Sequence, residues 1–295
     1  MTNSGAAGGA SIIDGRALAE QYKRQLSERV DRLKKSGFPV RLDAVLAADA
    51  DSAAGVYAEN QGAACRAIGI EYHLHRLSET AGYDDIAGRV LLLNTDDDVR
   101  AVMLHLPLPN GIDPYRVQRL IDPAKDVEGV NPANIGNIVY GRSSLVPCTA
   151  LAVLTMIEST GVELRGKTCV VVGASNIVGK PIAVLLMRHD ATVVSCNKYT
   201  KELPELTRRA DVLVAAVGKP GLITPEMVKD GAIVVDVGTT RVRDDSGRSR
   251  TVGDVEFDGV SAKAGWLSPV PGGVGPMTVA MLLRNVVEAA ERSRG

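Results

Sequence analysis

The chain has 295 residues, 45% of them hydrophobic and 23% charged, with a formal net charge of −1. This length suits two domains that each bury a stable interior, and the near-zero charge excludes an electrostatic draw to nucleic acid or an anionic membrane. No apolar run reaches the roughly 18 residues that a membrane helix needs, and Cys65, Cys148, Cys169 and Cys196 are spaced neither as a disulfide framework nor as a metal site, but as buried thiols of a reducing cytoplasm.

The N-terminal MTNSGAAGGAS has no basic start and no apolar stretch, so residues 1–11 read as a flexible leader rather than a signal peptide. Leu18, Tyr22, Leu26, Val30 and Leu33 then recur at helical spacing, predicting an amphipathic helix over 15–35 that Gly37 and Pro39 end. LDAVLAA reads as a buried strand. Residues 53–68 return to helix, with Val56, Tyr57, Ala64, Cys65 and Ile68 available to one face. IEYHLHR alternates, placing Ile70, Tyr72 and Leu74 on one side and Glu71, His73 and His75 on the other. The two histidines therefore read as solvent-facing; they have no third ligand nearby to make a metal site. AVMLHLPLP is a strand running into a Pro-rich turn, and a helix within 145–165, capped by Gly161, leads to the second half.

From there the pattern is strand, Gly-rich turn, helix, strand. KTCVVVG, ATVVSC, DVLVAAVG and AIVVDVG are almost continuously apolar, as strands covered on both faces are. The fold class is α/β: an N-terminal α/β domain over 12–148, and a doubly wound Rossmann-type domain over 149–275 with its ligand at the carboxyl ends of the strands. A last helix, over 276–295, returns to the first domain. RVRDDSGRSR reads as a solvated loop.

The turn after TCVVV carries Gly173, Ala174, Ser175, Ile177, Val178 and Gly179 into a helix start. Two glycines there permit a sharp bend and close helix–strand packing, and the free N–H groups of the helix end suit a pyrophosphate. After the next strand stand Asn197 and Lys198 with no acid to grip a ribose hydroxyl, which favours NADP while leaving NAD possible. A second segment, Pro269 to Thr278, holds three glycines and three prolines. It predicts a loop whose backbone approaches a ligand closely, with Pro271, Gly272, Gly273, Gly275 and Thr278 along it.

PVPGGVGPMT resembles the signature of the bifunctional methylene-tetrahydrofolate dehydrogenase/cyclohydrolases. GASNIVGKP is similar to their cofactor loop, HLPLP to their inter-domain strand, KDVEG to their KDVDG, VPCT to the turn that follows, and VVDVGTTRV and VGDV to later strands. The resemblance spans essentially the whole chain. It implies an oxidoreductase that moves hydride from the methylene carbon bridging two folate nitrogens to NADP, and a second step that adds water to the resulting cation and opens it. It also implies a homodimer formed through the Rossmann domain, and Val217, Gly218 and Thr239 as further cofactor contacts. As the substrate and catalytic set it points to Tyr57, Gln61, His105 and Glu128.

At that set the chain departs from the family. The family's lysine four residues after the tyrosine is Gln61, its glutamine before LPLP is His105, its second aspartate in KDVDG is Glu128, a serine before the tyrosine is Ala54, and an arginine in the cofactor loop is Ala174. An amide cannot exchange protons as an ammonium does. The expectation is a dehydrogenase whose cyclohydrolase activity is lost, with Tyr57 stacked on the substrate, Gln61 orienting it and Glu128 reaching in place of the aspartate. Two alternatives stand beside it. One is a scaffold acting on a non-folate cyclic imine or amine, with His105 transferring protons beside Glu128; the other is a non-catalytic nucleotide-binding paralogue. Cys148 reads as a buried thiol, and Asp126 and Asp254 as loop and turn formers.

Overall fold

The computed structural model describes residues 9–109, 111–142, 144–243 and 248–293. In chain order the elements are β1 (Ser11–Ile12), α1 (Gly15–Lys35), β2 (Arg41–Ala47), α2 (Ala53–Ala67), β3 (Glu71–Leu77), α3 (Tyr83–Thr95), β4 (Ala101–Leu104), α4 (Pro114–Gln118) and α5 (Pro132–Val139). There follow α6 (Cys148–Glu158), β5 (Thr168–Val172), α7 (Gly179–Arg188), β6 (Thr192–Cys196), α8 (Leu203–Thr207), β7 (Val212–Ala215), β8 (Ile233–Asp236), β9 (Thr240–Arg243), β10 (Ser249–Val252), α9 (Phe257–Ser261), β11 (Trp266–Leu267) and α10 (Val274–Arg292). The chain divides into two compact units. One comprises the residues up to Ala19 with Thr149–Thr278, the other Glu20–Cys148 with the residues from Val279 onward.

The first of these units is built on a six-stranded parallel sheet in the order β1-β11-β8-β7-β5-β6. The inner strands are apolar on both faces because helices cover both, and Val170, Val172, Leu213, Ala215, Val234 and Leu267 form one buried cluster. From β5 the chain runs out to β6 and then returns across β5 to β7. That reversal opens a crevice beyond the carboxyl ends of β5 and β7, where doubly wound sheets bind ligands. Edge strand β6 keeps Thr192 and Ser195 exposed.

Two sequence expectations need correction in this unit. Residues 9–11, read as the end of a leader, run beside β11: the Ala10 amide donates to the Ser261 carbonyl, and Ser11 donates to Gly265. Two-residue strands are too short to show a periodicity; the rest of the expected leader, residues 1–8, lies outside the described residues. The charged stretch read as a loop is an antiparallel hairpin, with β9 and β10 paired from Arg243–Ser249 to Thr240–Val252. Its residues 244–247 lie outside those described. The pairing is hard to read from sequence because each strand has four residues, mostly polar, and the alternation of β9 (Thr240 and Val242 half-buried, Arg241 and Arg243 exposed) is too short to stand out.

The other unit has a three-stranded parallel sheet in the order β3-β2-β4. Central strand β2 buries Leu42 through Ala47, and Ile86, Val90 and Leu93 of α3 pack with Val45, Val102 and Leu104. Lys125 Nζ donates to the carbonyls of Leu93, Asn94 and Asp96 at 3.1, 2.7 and 2.9 Å, so a cation closes the negative end of α3. The Val102 amide donates to the Lys125 carbonyl, and Val102 bridges Asp126 in parallel register. The KDVEG segment thereby lies along β4. Near the C-terminus, Asn285 of α10 donates to the carbonyls of Val127 and Val146 at 2.8 and 2.9 Å, which ties that helix to the same segment.

Two further expectations shift here. The buried side of α2 is Gly55, Ala58, Gln61, Gly62 and Cys65, while Val56 and Tyr57 are about half exposed. A face of Gly, Ala and Gln gives no apolar signal in sequence. His73 is exposed, but His75 is not free: its Nε2 lies 2.6 Å from Oδ1 of the fully buried Asp43, which Arg41 also holds. Asp43 pairs with His73 across the strands, so His75 is its diagonal neighbour on the same face. Among the described residues no helix is long and apolar enough to cross a membrane.

Candidate active site

In the three-stranded unit, α2 begins at Ser52, whose hydroxyl accepts from the Gly55 amide at 3.0 Å. This start sets the rotation of the helix, and with it the positions of Tyr57 and Gln61, four residues apart and therefore stacked on one side. The Tyr57 ring meets the edge of the His105 imidazole, with centroids 6.0 Å apart and planes at 84°. The side chain is about half exposed, and burial, then the charges of Glu128 and Cys148, push its pKa up.

Gln61 is 5% exposed, and neither its Oε1 nor its Nε2 has a hydrogen-bond partner in the protein. Such a group costs about 1–3 kcal/mol per unmade bond relative to a satisfied one. Within the protein alone the amide therefore stands at a loss of stability, with both polar atoms open to a further partner.

His105 stands just past β4 and is 1% exposed; its amide donates to the Val45 carbonyl and its Nε2 lies 3.1 Å from the Tyr72 hydroxyl. Burial lowers its pKa to about 4, so the imidazole is neutral at physiological pH. Desolvation of the cation outweighs the intrinsic basicity that would suit His105 to proton transfer near neutral pH. The peptide bonds Leu106–Pro107 and Val270–Pro271 are cis.

Glu128 is reached through the β4 edge, where the Leu104 amide donates to its Oε2 at 3.3 Å. Protein surrounds the carboxyl, and burial followed by the like charge of Asp126 pushes its pKa up to about 8. At neutral pH it is mostly a carboxylic acid, able to donate as well as accept. Asp126 itself is structural, since its Oδ2 accepts from the Asn131 amide at 2.7 Å and from Asn134 Nδ2 at 2.9 Å. Cys148 is buried, donates to the Val127 carbonyl at 3.3 Å, and has its pKa raised by burial and by the nearby carboxylates. No cationic partner lowers it, so it is an inert thiol.

In the six-stranded unit, Gly173 ends β5 at φ +112°, and a Cβ there would collide with the Ala216 carbonyl after β7. A Cβ on Gly179 would collide with the Gly173 carbonyl in turn. Only glycine lets these two loops and the start of α7 meet. Ser175 Oγ accepts from the Gly179 amide, and Ala174, Ile177 and Val178 complete the turn, with Ile177 half exposed. Asn197 and Lys198 follow β6: Asn197 Oδ1 accepts from the Tyr199 amide, and Lys198 Nζ lies 4.9 Å from the Tyr199 ring.

Val217 and Gly218 follow β7, and both donate their amides to Asp254 Oδ2, at 2.6 and 3.0 Å. Asp236, at the end of β8, accepts from the amides of Gly238, Asp254 and Val255. Its pKa is raised to about 6, chiefly by burial. This carboxylate knot fixes every loop at the carboxyl end of β7 and β8. The turn-forming role expected of Asp254 thus extends to a shared knot with Asp236, whose signal in sequence is an acid closing the apolar strand IVVD. Beside the knot, a small hollow of about 90 Å³ is lined by Asp236, Thr239, Thr251 and the segment Pro269–Pro276, including Pro271, Gly272, Gly273 and Gly275. Thr278 sits in the first turns of α10, its hydroxyl donating to the Val274 carbonyl. The six-stranded unit thus gathers its expected cofactor residues at the carboxyl ends of the strands, and their glycine-lined turns fit a dinucleotide.

Comparison with known proteins gives one family for both units. Residues 13–128 match the model of the tetrahydrofolate dehydrogenase/cyclohydrolase catalytic domain, and residues 147–294 match that of its NAD(P)-binding domain. The bifunctional protein FolD of Moorella thermoacetica is 45% identical over 283 residues, covering 96% of this chain and 99% of that protein. Among solved structures, the bifunctional FolD methylenetetrahydrofolate dehydrogenase/cyclohydrolase of Campylobacter jejuni superposes with a TM-score of 0.91 at 39% identity, over 96% of this chain and 99% of its own. The Trypanosoma brucei N5,N10-methylenetetrahydrofolate dehydrogenase-cyclohydrolase, solved with NADP and an inhibitor, gives 0.90 at 36%, over 97% and 99%. Two matched domain models in sequence order and near-complete coverage at such identity make this chain a member of the tetrahydrofolate dehydrogenase/cyclohydrolase family.

Proposed function

We propose that the protein is an NADP-dependent methylenetetrahydrofolate dehydrogenase whose cyclohydrolase activity is lost or severely weakened. The observation that carries this reading is Gln61: a buried amide with both polar atoms unpartnered stands where the family resemblance places a lysine. Opening the methenyl ring requires a proton to be taken from water and another given to the leaving nitrogen. Gln61 can do neither, and His105, buried and neutral, is a poor substitute. Hydride departure from the methylene carbon makes a lesser demand. It needs the substrate held against the nicotinamide, and the lone pairs of the flanking nitrogens stabilise the developing cation.

In this reading Tyr57 stacks on the pterin ring, Gln61 orients it through both amide atoms, and Glu128 donates or accepts at its polar edge. Pro271, Gly272 and Gly273 wall the substrate. NADP, when bound, supplies the hydride acceptor. The turn from Gly173 through Val178 holds its pyrophosphate, Asn197 and Lys198 hold its adenosine end, and Val217, Gly218, Thr239, Gly275 and Thr278 line its path. Because Ala174 offers no charge, Lys198 carries the 2′-phosphate alone. Two copies form a homodimer through the Rossmann-type unit, and the enzyme works in the cytoplasm.

Initial rates with methylenetetrahydrofolate, taken with NADP and with NAD, test the dehydrogenase and its cofactor. Lys198→Ala should raise KM for NADP roughly tenfold or more, in line with the loss of a charged phosphate contact, and leave KM for NAD nearly unchanged. Equal effects on both cofactors would remove Lys198 from the 2′-phosphate site.

A further inference from the structure

Tyr72 belongs to none of the motifs that mark this family in the chain, yet it makes the one side-chain hydrogen bond of His105 among the described residues, at 3.1 Å from its Nε2. It reaches there from β3, passing over α2 at Gly62. A Cβ on Gly62 would lie 2.6 Å from the Tyr72 ring, so the glycine creates the slot that the ring occupies. The imidazole also makes a T-shaped contact with the Tyr57 ring. His105 thus contacts two tyrosines, one from α2 and one from β3, and α2 also carries Gln61, whose amide has no partner.

The bond can be formed in two ways. If Nε2–H donates to the tyrosine oxygen, the phenolic proton and the Nδ1 lone pair are both left without a protein partner. If the phenol donates to Nε2, the only group remaining is Nδ1–H. The second arrangement leaves fewer polar groups without a protein partner. Burial raises the Tyr72 pKa, so the phenol keeps its proton, and burial lowers that of His105, so the ring carries only one.

We propose that Tyr72 is a positioning residue of the substrate site: by donating to His105 Nε2 it holds the imidazole as the neutral Nδ1–H tautomer, so that His105 offers the folate a fixed hydrogen-bond donor rather than a base. This deepens the dehydrogenase reading and rests on it only for the substrate. The tautomer lock also makes His105 a poor base for ring opening: the nitrogen that would take a proton from water already accepts from the phenol.

The test uses the full chain with ¹⁵N-labelled histidine, saturated with NADP, and reads the His105 ring nitrogens by NMR between pH 6 and 8. The wild type should show a protonated Nδ1 and an unprotonated, hydrogen-bonded Nε2 throughout. Tyr72→Phe should shift the ring toward Nε2–H or a mixture, and should raise KM for methylenetetrahydrofolate about three- to tenfold with kcat changed less than threefold. Gly62→Ala, which displaces the Tyr72 ring without removing its hydroxyl, should weaken the same signature. An Nε2–H ring in the wild type overturns the proposal without recourse to any variant. So does a tautomer unchanged in Tyr72→Phe, or a changed tautomer with KM and kcat both unaltered. If the wild type turned over no folate at all, the folate reading would fail while the imidazole spectrum still decided the role of Tyr72.

Discussion

At the scale of the residue, Gln61 and Glu128 each hold a configuration that costs stability, and each yields a measurable consequence. Replacing Gln61 with methionine, a side chain of similar length and no polar atoms, removes two unsatisfied groups. The expected result is a chain more stable by about 1–2 kcal/mol in urea denaturation, with KM for methylenetetrahydrofolate raised about tenfold if one to two substrate hydrogen bonds are lost. A destabilised Gln61→Met would mean that the amide is held by the fold after all. Glu128 has a folded pKa of about 8 against an ordinary value of 4.5. Folding therefore favours its protonated form, and the stability this contributes is complete below about pH 4.5 and is lost as pH rises through 8. Glu128→Gln lacks that dependence. Relative to the wild type it should gain roughly 2 kcal/mol between pH 5 and pH 9, below the full value of such a shift because the surroundings relax when the carboxyl ionises; a flat difference across that range would contradict the buried acid.

At the scale of the element, close backbone approaches position both candidate sites. A Cβ on Gly15 would collide with the Gly273 carbonyl, so the first turn of α1 lies directly on the glycine-rich loop. Gly15→Ala should cost on the order of 2–3 kcal/mol through forced displacement, and the loss should appear also as weakened NADP binding, measured by fluorescence titration. Ser52→Ala at the start of α2 should cost about 1 kcal/mol and raise KM for substrate without altering NADP affinity, because α2 carries Tyr57 and Gln61. Elements with a strong period were legible in sequence: α1, the strands β5, β7 and β8, and the turn at Gly173. Those without one were not. The strands β1 and β11 have two residues each, β9 and β10 are short and mostly polar, and the buried face of α2 is made of Gly, Ala and Gln.

At the scale of the whole chain, both units were legible as α/β. Their glycine turns and near-continuous apolar strands are local signals, and the order of those signals carried the family resemblance. What stayed hidden was non-local. Alternation put Tyr72 on one side of β3 but could not say that His105, 33 residues later, would be its partner. Nor could it show that Asp236 and Asp254 would share one knot of backbone amides. The substitutions at Gln61, His105 and Glu128 were visible one by one; that burial would leave the histidine neutral and the glutamate protonated depends on packing that no spacing encodes.

The central claim is that hydride transfer has been kept and ring opening lost. It is tested most directly by adding methylenetetrahydrofolate and NADP to the purified enzyme and following NADPH and the methenyl product together in one cuvette. The expected result is methenyl accumulating mole for mole with NADPH and decaying no faster than in a sample without enzyme. NADPH formation with the methenyl product consumed faster than that blank would contradict the account, and would assign the missing proton transfer to a group other than a lysine at position 61.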